Sequence, residues 1–443
     1  MLTAEAIREV AARQLCSGCG VCAASMPRSV KMADDIDQGR RPLHYARPGS
    51  SKTEPLSACP GARLAHAFDR SDNELDQSLL PDWGPVFEVW EGLAGDAEIR
   101  RAGSSGGAAS ALALYAVERG GMYAVLHTAA RKDVPYLNET VMSRCRDELL
   151  TRTGSRYAPA SPGDGLGRIE AAAGPCVFIG KPCDVAGATM AARARPALAE
   201  KLGLTVAFFC AGVPSTRGTL DLLKKVGVDD PDSVESIRYR GNGWPGRWTV
   251  RFRTPADVLE ERGLSYEESW GFLTKYVQWR CRLCPDHTGE FADIAVGDPW
   301  YRPVQPGEPG KSLIVARTPR GRDFLHAAAA AGYIVLETRD ASLLPRSQPN
   351  LLRARGAVWG RLLALRLAGI PTPRFKGFHL FRAWLRLPLW QKLTSIVGTW
   401  RRIDSRSLRR VRPVQPFERG SLESAGSPAG AAVVSGDQGG TEC

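Results

Sequence analysis

The sequence predicts a mixed α/β core over 86–345, with a small cysteine-bearing unit before it over 1–85. A basic helical arm over 346–413 and a disordered tail over 414–443 follow. Three observations carry this division. Strand-like and helix-like runs alternate from Val86 onward, the pattern of an α/β sheet. The cysteines stand in short-spaced groups rather than evenly. Cations gather late: fifteen Lys and Arg lie between Leu351 and Pro413 against one acid, Asp404, in a chain of formal net charge +12. The remainder is close to neutral, which argues against a nucleic-acid enzyme, whose basic footprint covers its working face.

At 443 residues the chain exceeds one ordinary domain, and 43% hydrophobic residues supply a core. Met1 to Val10 carries acids and lacks the apolar run of an export signal. No stretch of about 18 uncharged apolar residues appears, so no bilayer-spanning helix is expected. The eleven cysteines cluster as CxxCxxC, Cys-Pro and CxxC, metal-ligand spacing rather than a secreted disulfide framework, with Cys145, Cys176 and Cys443 as a bystander, a core thiol and a tail residue, and this predicts a reducing, cytoplasmic location.

Residues 3–15 read as a short helix leading into Cys16-Ser-Gly-Cys19-Gly-Val-Cys22 and, after a polar loop, Cys59-Pro60. Three thiols spaced this way on a Gly-containing loop wrap one corner of an iron–sulfur cube, and a remote Cys-Pro supplies the fourth ligand. Cys16, Cys19, Cys22 and Cys59 are therefore candidate ligands of one 4Fe–4S cluster in a ferredoxin-like unit. Two-cluster ferredoxins carry a further Cys-Pro just beyond; Met26-Pro27 stands there instead, which fits a single cluster. A zinc knuckle or free thiols are the plainer alternatives, although zinc sites usually pair two CxxC arms or use His.

In the core, Val86 to Trp90 reads as a strand and Gly103-Ser104-Ser105-Gly106-Gly107 as a turn. A helix over Ala108 to Glu118 and a strand over Met122 to His127 follow. Such a turn lets a phosphate approach free N–H groups at a helix start, though a Ser cap on a tight turn reads the same way. Pro175 to Ile179 and Leu204 to Phe209 are apolar strands. Gly180-Lys181-Pro182-Cys183-Asp184 follows the first, and Cys210 follows the second. Both cysteines thus stand just past the carboxyl ends of strands, where α/β sheets bind ligands. With Cys281 and Cys284 they make a second candidate thiolate set. A redox-active Cys281/Cys284 dithiol is the rival, without the helix start that lowers a thiol pKa. His287 reads as a loop residue before a proton donor, and Asp298 as a site carboxylate or a turn. No catalytic residue stands out.

Taken in order, these pieces resemble the coenzyme F420 hydrogenase/dehydrogenase beta-subunit family. The resemblance is carried by the first cysteine run with Cys59-Pro60, Ser104-Ser-Gly-Gly107, Thr153-Gly-Ser-Arg-Tyr157 and Gly180-Lys-Pro-Cys183. Phe209 to Ser215, Cys281-Arg-Leu-Cys284 and Ala292 to Asp298 complete it, over roughly three-quarters of the chain. It implies a flavoprotein core that carries FAD beside two 4Fe–4S clusters, with coenzyme F420 as a candidate co-substrate. Ser104, Ser105, Gly106, Gly107, Ser155, Arg156, Tyr157, Gly180, Lys181 and Pro182 would then form the flavin cradle. Arg156 stands where relatives often have Lys and would offer its cation to a phosphate or flavin carbonyl. Lys181 replaces a smaller residue.

The arm departs from this core. Leu389, Trp390, Leu393, Ile396, Val397 and Trp400 recur at helical spacing after Pro388, flanked by Arg382, Arg386, Lys392, Arg401 and Arg402. A membrane-surface helix has this pattern, and so has one docked on the body or on a partner subunit.

Three functions compete. The first is an FAD- and iron–sulfur-dependent oxidoreductase moving electrons between a two-electron donor, such as reduced F420, and an organic acceptor. The second is a non-catalytic electron-transfer subunit feeding a partner enzyme, with a place in polysaccharide biosynthesis among the roles the resemblance implies. The third is a zinc-bound interaction protein. No nucleic-acid partner is expected.

Overall fold

The computed structural model describes residues 6–45, 55–305 and 307–418. The chain opens with α1 (Ile7–Ala12), whose Ile7, Val10 and Ala11 face inward, the cysteine loop and α2 (Val21–Ser25). An antiparallel hairpin, β1 (Val30–Asp35) and β2 (Gly39–His44), and the short β3 (Arg63–Ala65) complete this unit.

The body alternates as its hydrophobic pattern predicts. The first half runs β4 (Glu88–Ala94), α3 (Ala108–Glu118), β5 (Ala124–Ala130), β6 (Asn138–Ser143), β7 (Cys176–Gly180), α4 (Pro182–Ala192) and β8 (Leu202–Phe208). After β9 (Val234–Arg238), β10 (Arg247–Arg253) and β11 (Leu259–Ser265) come α5 (Trp279–Arg282), β12 (Ile294–Gly297), β13 (Ser312–Ala316) and β14 (Ile334–Arg339). The arm holds α6 (Pro349–Gly356), α7 (Val358–Leu367), β15 (Arg374–Lys376), α8 (Leu380–Leu385) and α9 (Leu389–Ser405).

Eight strands form one mixed sheet in the order β14-β4-β13-β12-β8-β7-β5-β6. The central pairs β12/β8, β8/β7 and β7/β5 are parallel, and the flanking pairs antiparallel. Every residue of β7 and β13 is buried, because both faces of the sheet are covered, as continuous apolar strands require. Alternate residues divide between two cores. Val125, Val177, Ile179 and Ile294 pack with Leu112 and Ala116 of α3. Leu126, Phe178, Ala295 and Leu313 face the other way, onto Val185 and Ala186 of α4. A separate antiparallel sheet, β11-β10-β9, carries its own apolar cluster around Trp248.

The segments read as three successive units are merged by packing. Val10 and Leu15 of the N-terminal unit, and Leu362 and Ile403 of the arm, belong to the same apolar cluster as Phe178. A unit this small cannot bury enough apolar surface by itself, and the body supplies the rest. β15 pairs in parallel with β3, joining Arg374–Lys376 to Arg63–Ala65. Residues 415 and 417, read as part of the tail, are tied to the body: Gln415 N–H donates to Asp35 Oδ2 (2.9 Å) and Phe417 N–H to the Asp34 carbonyl (2.7 Å). Residues 419–443 lie outside the described residues. Among the described residues, no helix is long and apolar enough to cross a membrane.

Candidate functional site

The first thiol set is built by a tight loop. Gly18 and Gly20 take positive φ (74° and 89°), which lets the chain coil between Cys16 and Cys22. A Cβ on Gly20 would meet Ser161 O and Asp164 N at 2.6 Å, so the loop lies flush on that turn. Ser161 Oγ donates to Gly18 O (2.6 Å) and Gly163 N–H to Cys19 O (2.9 Å). Cys59 arrives from the turn Pro55–Ala58, and all four cysteines line one small cavity with Ile7, Val10, Val21 and Met32. Met26 N–H donates to Cys22 O and ends α2. Burial first, and then the neighbouring thiols, push Cys19 and Cys22 well up and Cys59 up to about 12.

The second set assembles at the carboxyl edge of the sheet. Cys183 is the second residue of α4, Cys210 follows β8, Cys281 lies in α5 and Cys284 just beyond it. Val213 N–H donates to Cys281 Sγ (3.4 Å), and Cys284 Sγ–H to the Asp286 carbonyl (2.9 Å). Burial and the nearby Asp184 push Cys183 well up. Burial, then Cys281, carries Cys210 to about 12; for Cys284, also at about 12, burial again leads. Thiols this deep ionise only when a positive group joins them. Among the described residues, no three His, Cys, Asp or Glu stand close enough to hold a single metal ion. A cube takes one thiolate per iron, so its ligands need not meet at a point. Helix α4 connects the two sets: it carries Cys183, and its Gly187 packs against Val21 and Pro60. Arg280 does the same from α5, donating from Nη2 to Pro60 O (2.7 Å).

Beside the second set, a cavity of about 300 Å³ opens at the carboxyl ends of the parallel strands, the size of a cofactor pocket. Ser104, Ser105, Gly107, Ser155, Arg156, Tyr157, Gly180 and Lys181 all line it, as does Cys210. Gly106 lies behind the wall, its N–H donating to Ser312 Oγ (3.0 Å), and Pro182 opens α4 without lining the cavity. Neither serine caps α3. Gly107 does so with φ 74°, leaving Ser104 Oγ to accept from Ser155 N–H (2.6 Å) and Ser105 Oγ to donate to Lys311 O (2.5 Å). Lys181 Nζ lies 2.6 Å from Asp184 Oδ2. Burial would lower its pKa; Asp184 and the thiols of Cys183 and Cys210 raise it further.

Arg156 departs from its expected use. Its guanidinium donates to Asn138 Oδ1 (2.8 Å) and to the carbonyls of Ile237 (2.7 Å), Pro135 (2.6 Å) and Leu137 (3.4 Å). It fastens backbone segments together and has little left for a ligand. His287 is buried, with Nδ1 2.8 Å from the Cys210 carbonyl; burial pushes its pKa down to about 4.

Of the opposite wall, the sequence offered Asp298 as a site carboxylate or a turn but not its partners. Arg240 makes a bidentate pair with Asp298 (2.8 Å to each oxygen), and Trp244 Nε1 donates to the same carboxylate (3.0 Å). Trp244, Trp300 and Tyr266 form a stacked row with 5.7 Å between successive rings, and Arg240 lies over Tyr266 at 4.5 Å. For the partners of Asp298 the signal was Gly241, Gly243, Pro245 and Gly246 crowding around Trp244. Asp298→Ala should therefore leave Arg240 buried and unpaired, and lower stability by about 3–5 kcal/mol in denaturant titrations.

A charged network lies under the CxxC loop. Glu290 pairs with Arg355, and His66 Nε2 stands 3.0 Å away. Asp286 accepts N–H groups from Thr288, Gly289 and Glu290 (3.1, 2.8 and 3.0 Å). Arg317 donates to the carbonyls of Trp83, Pro85 and Thr288. Burial would raise Glu290, but Arg355 and His66 bring it down to about 2; burial and Glu290 push Asp286 up to about 6.

A covered mixed sheet with a large cavity at its carboxyl edge and buried thiols beside it places the chain among mixed α/β proteins with room for a ligand at that edge. The family models narrow this. The model for the N-terminal part of the coenzyme F420 hydrogenase/dehydrogenase beta subunit matches residues 89–166, and that for its C terminus matches 175–342. The chain belongs to this family, a family of oxidoreductase subunits in electron transfer. Among curated proteins, it is 24% identical over 267 residues to the coenzyme F420 hydrogenase subunit beta of Methanothermobacter thermautotrophicus. That match covers 58% of this chain and 85% of the relative. The subunit of the same name from Methanosarcina barkeri is 25% identical over 244 residues, covering 54% and 77%. A chain of the F420-reducing NiFe hydrogenase complex from Methanosarcina barkeri aligns with TM-score 0.49 and 20% identity, over 66% of this chain and 97% of that one.

Proposed function

We propose that this chain is an FAD- and iron–sulfur-dependent oxidoreductase. It would move electrons between a two-electron donor, reduced coenzyme F420 or a similar hydride carrier, and an organic acceptor. One observation carries the reading: Cys210 belongs to the second thiol set and also lines the large cavity, so a cofactor there adjoins a cluster site. When bound, a flavin exchanges electron pairs and releases single electrons, and 4Fe–4S clusters carry them one at a time.

The chain's own residues would do the positioning. The start of α3, with Gly107 and Ala108 on the cavity, offers its N–H groups to a phosphate. Tyr157, Tyr266 and Trp300 supply flat apolar walls that exclude water. Lys181, held by Asp184, keeps a positive charge between the cavity and Cys183. Cys183, Cys210, Cys281 and Cys284 would hold the inner cluster, and Cys16, Cys19, Cys22 and Cys59 the outer one, with α4 and Arg280 between them. The names of the curated relatives favour a second reading, a subunit that passes electrons to a partner enzyme.

Anaerobic purification with iron, sulfide and flavin analysis tests the cofactors. About eight irons and one flavin per chain are expected; two zincs without flavin would remove the reading. Turnover of reduced F420 with an acceptor dye by the isolated chain separates the enzyme from the subunit, which would need its partner.

A further inference from the structure

Helix α9 is docked inside out. Its buried positions are Ser395, Thr399 and Ile403, on one face at i, i+4 and i+8. That face lies on α7 so closely that a Cβ on Gly360 would come within 2.0 Å of Ser395 Oγ. Trp384 Nε1 donates to the same hydroxyl (3.1 Å), and Thr399 Oγ1 donates to Ser395 O (2.7 Å). Ile403 apart, the large apolar residues are on the other side or at its margin. Leu389 is 72% exposed, Trp390 64% and Leu393 54%, with Val397 and Trp400 continuing the stripe. A helix on a water-soluble body ordinarily buries its large apolar residues and exposes its small polar ones. Phe381 and Leu385 of α8, four residues apart, are each half exposed as well. Exposed apolar surface of this extent marks an interaction site.

The rim identifies the occupant. Arg382, Arg401 and Arg402 are exposed around these residues, Arg386 is paired with Asp82, and Asp404 is the single acid between Leu351 and Pro413. A second copy of the chain would bring two cationic arms together, so charge opposes self-association on this face. What fits is apolar at the centre and anionic around it: the interface of a bilayer containing acidic lipids, with Trp at headgroup depth and Arg on phosphate. The face also lies beyond residue 342, outside the part matched by the family models.

We infer that α8 and α9 form a surface anchor that lays this protein on anionic membranes without crossing them. The test is sedimentation of the full chain with vesicles. Mixed phosphatidylcholine–phosphatidylglycerol vesicles should pellet it at low salt, at least about tenfold better than phosphatidylcholine alone. Trp390→Ser/Leu393→Ser should lose this binding with thermal unfolding unchanged, since both side chains are exposed. Arg382→Gln/Arg401→Gln should weaken it and reduce its salt dependence. The inference is overturned by indifference to phosphatidylglycerol, or by the Trp390/Leu393 variant pelleting like the parent. It is equally overturned if vesicles are ignored while sizing shows a complex, with itself or an acidic protein, that the same variant abolishes.

Discussion

Cys19→Ser should halve the iron of the anaerobically purified protein, from about eight to about four per chain, and leave the flavin in place. The reason is the separation of the two thiol sets. Cys19 lines the small cavity with Cys16, Cys22 and Cys59. None of these four lines the large cavity, where Cys210 represents the other set. Under the proposed assignment, loss of the outer cluster should abolish electron transfer to a protein acceptor while sparing flavin absorbance and its direct reduction by a hydride donor. Loss of flavin along with iron would mean instead that the N-terminal unit holds the cavity walls in place through the core they share. Iron, sulfide and flavin content on one preparation, with EPR of the reduced protein, distinguishes the two outcomes.

Glu290→Gln should lower stability at neutral pH by about 3–5 kcal/mol, because Arg355 is left buried without its carboxylate. The acid limb should change as well. Glu290 is held at about 2 against an ordinary 4.5. Its contribution is complete above pH 4.5 and is lost as pH falls towards 2, worth roughly 3 kcal/mol. Asp286 acts in the opposite sense: raised from 3.8 to about 6, it removes stability as pH rises through that window. The parent should accordingly gain stability from pH 2 to 4 and give part of it back by pH 6; the variant loses the first limb and, because Glu290 helps to raise Asp286, shows a smaller second one. Urea titrations at four pH values read both effects; a variant with the parent's acid limb would show that Glu290 does not carry it.

Much of the architecture was legible because it is local. The helix over Ala108 to Glu118 appears with the bounds its Gly-rich borders predict, since Gly107 supplies the left-handed cap. The strands before Lys181 and Cys210 were visible as short, mostly apolar runs, which a sheet covered on both faces favours. Their ends placed Cys183 and Cys210 at the carboxyl edge, where the structure has them. What one-dimensional patterns do not contain is pairing at a distance. Arg156 is absorbed by carbonyls at 135, 137 and 237, and Arg240 meets Asp298 from 58 residues away. The arm showed the same boundary: its amphipathic spacing was plain, but which face it turns inward depends on Gly360, which no periodicity marks.

The parallel pairing of β15 with β3 has a consequence for biogenesis. The strand just after Cys59 gains this partner only when Arg374–Lys376 has left the ribosome, some three hundred residues later. Further ties, from Arg412 N–H to Ala12 O and from Phe417 N–H to Asp34 O, come later still. During synthesis the loop of the first four thiols can already rest on the Ser161–Asp164 turn, but the strand beside Cys59 has no partner until residue 374 emerges. Such long-range contacts form slowly. The strand that follows Cys59 would then close late, and removing the residues from 374 onward should lower metal binding at the first thiol set before the second.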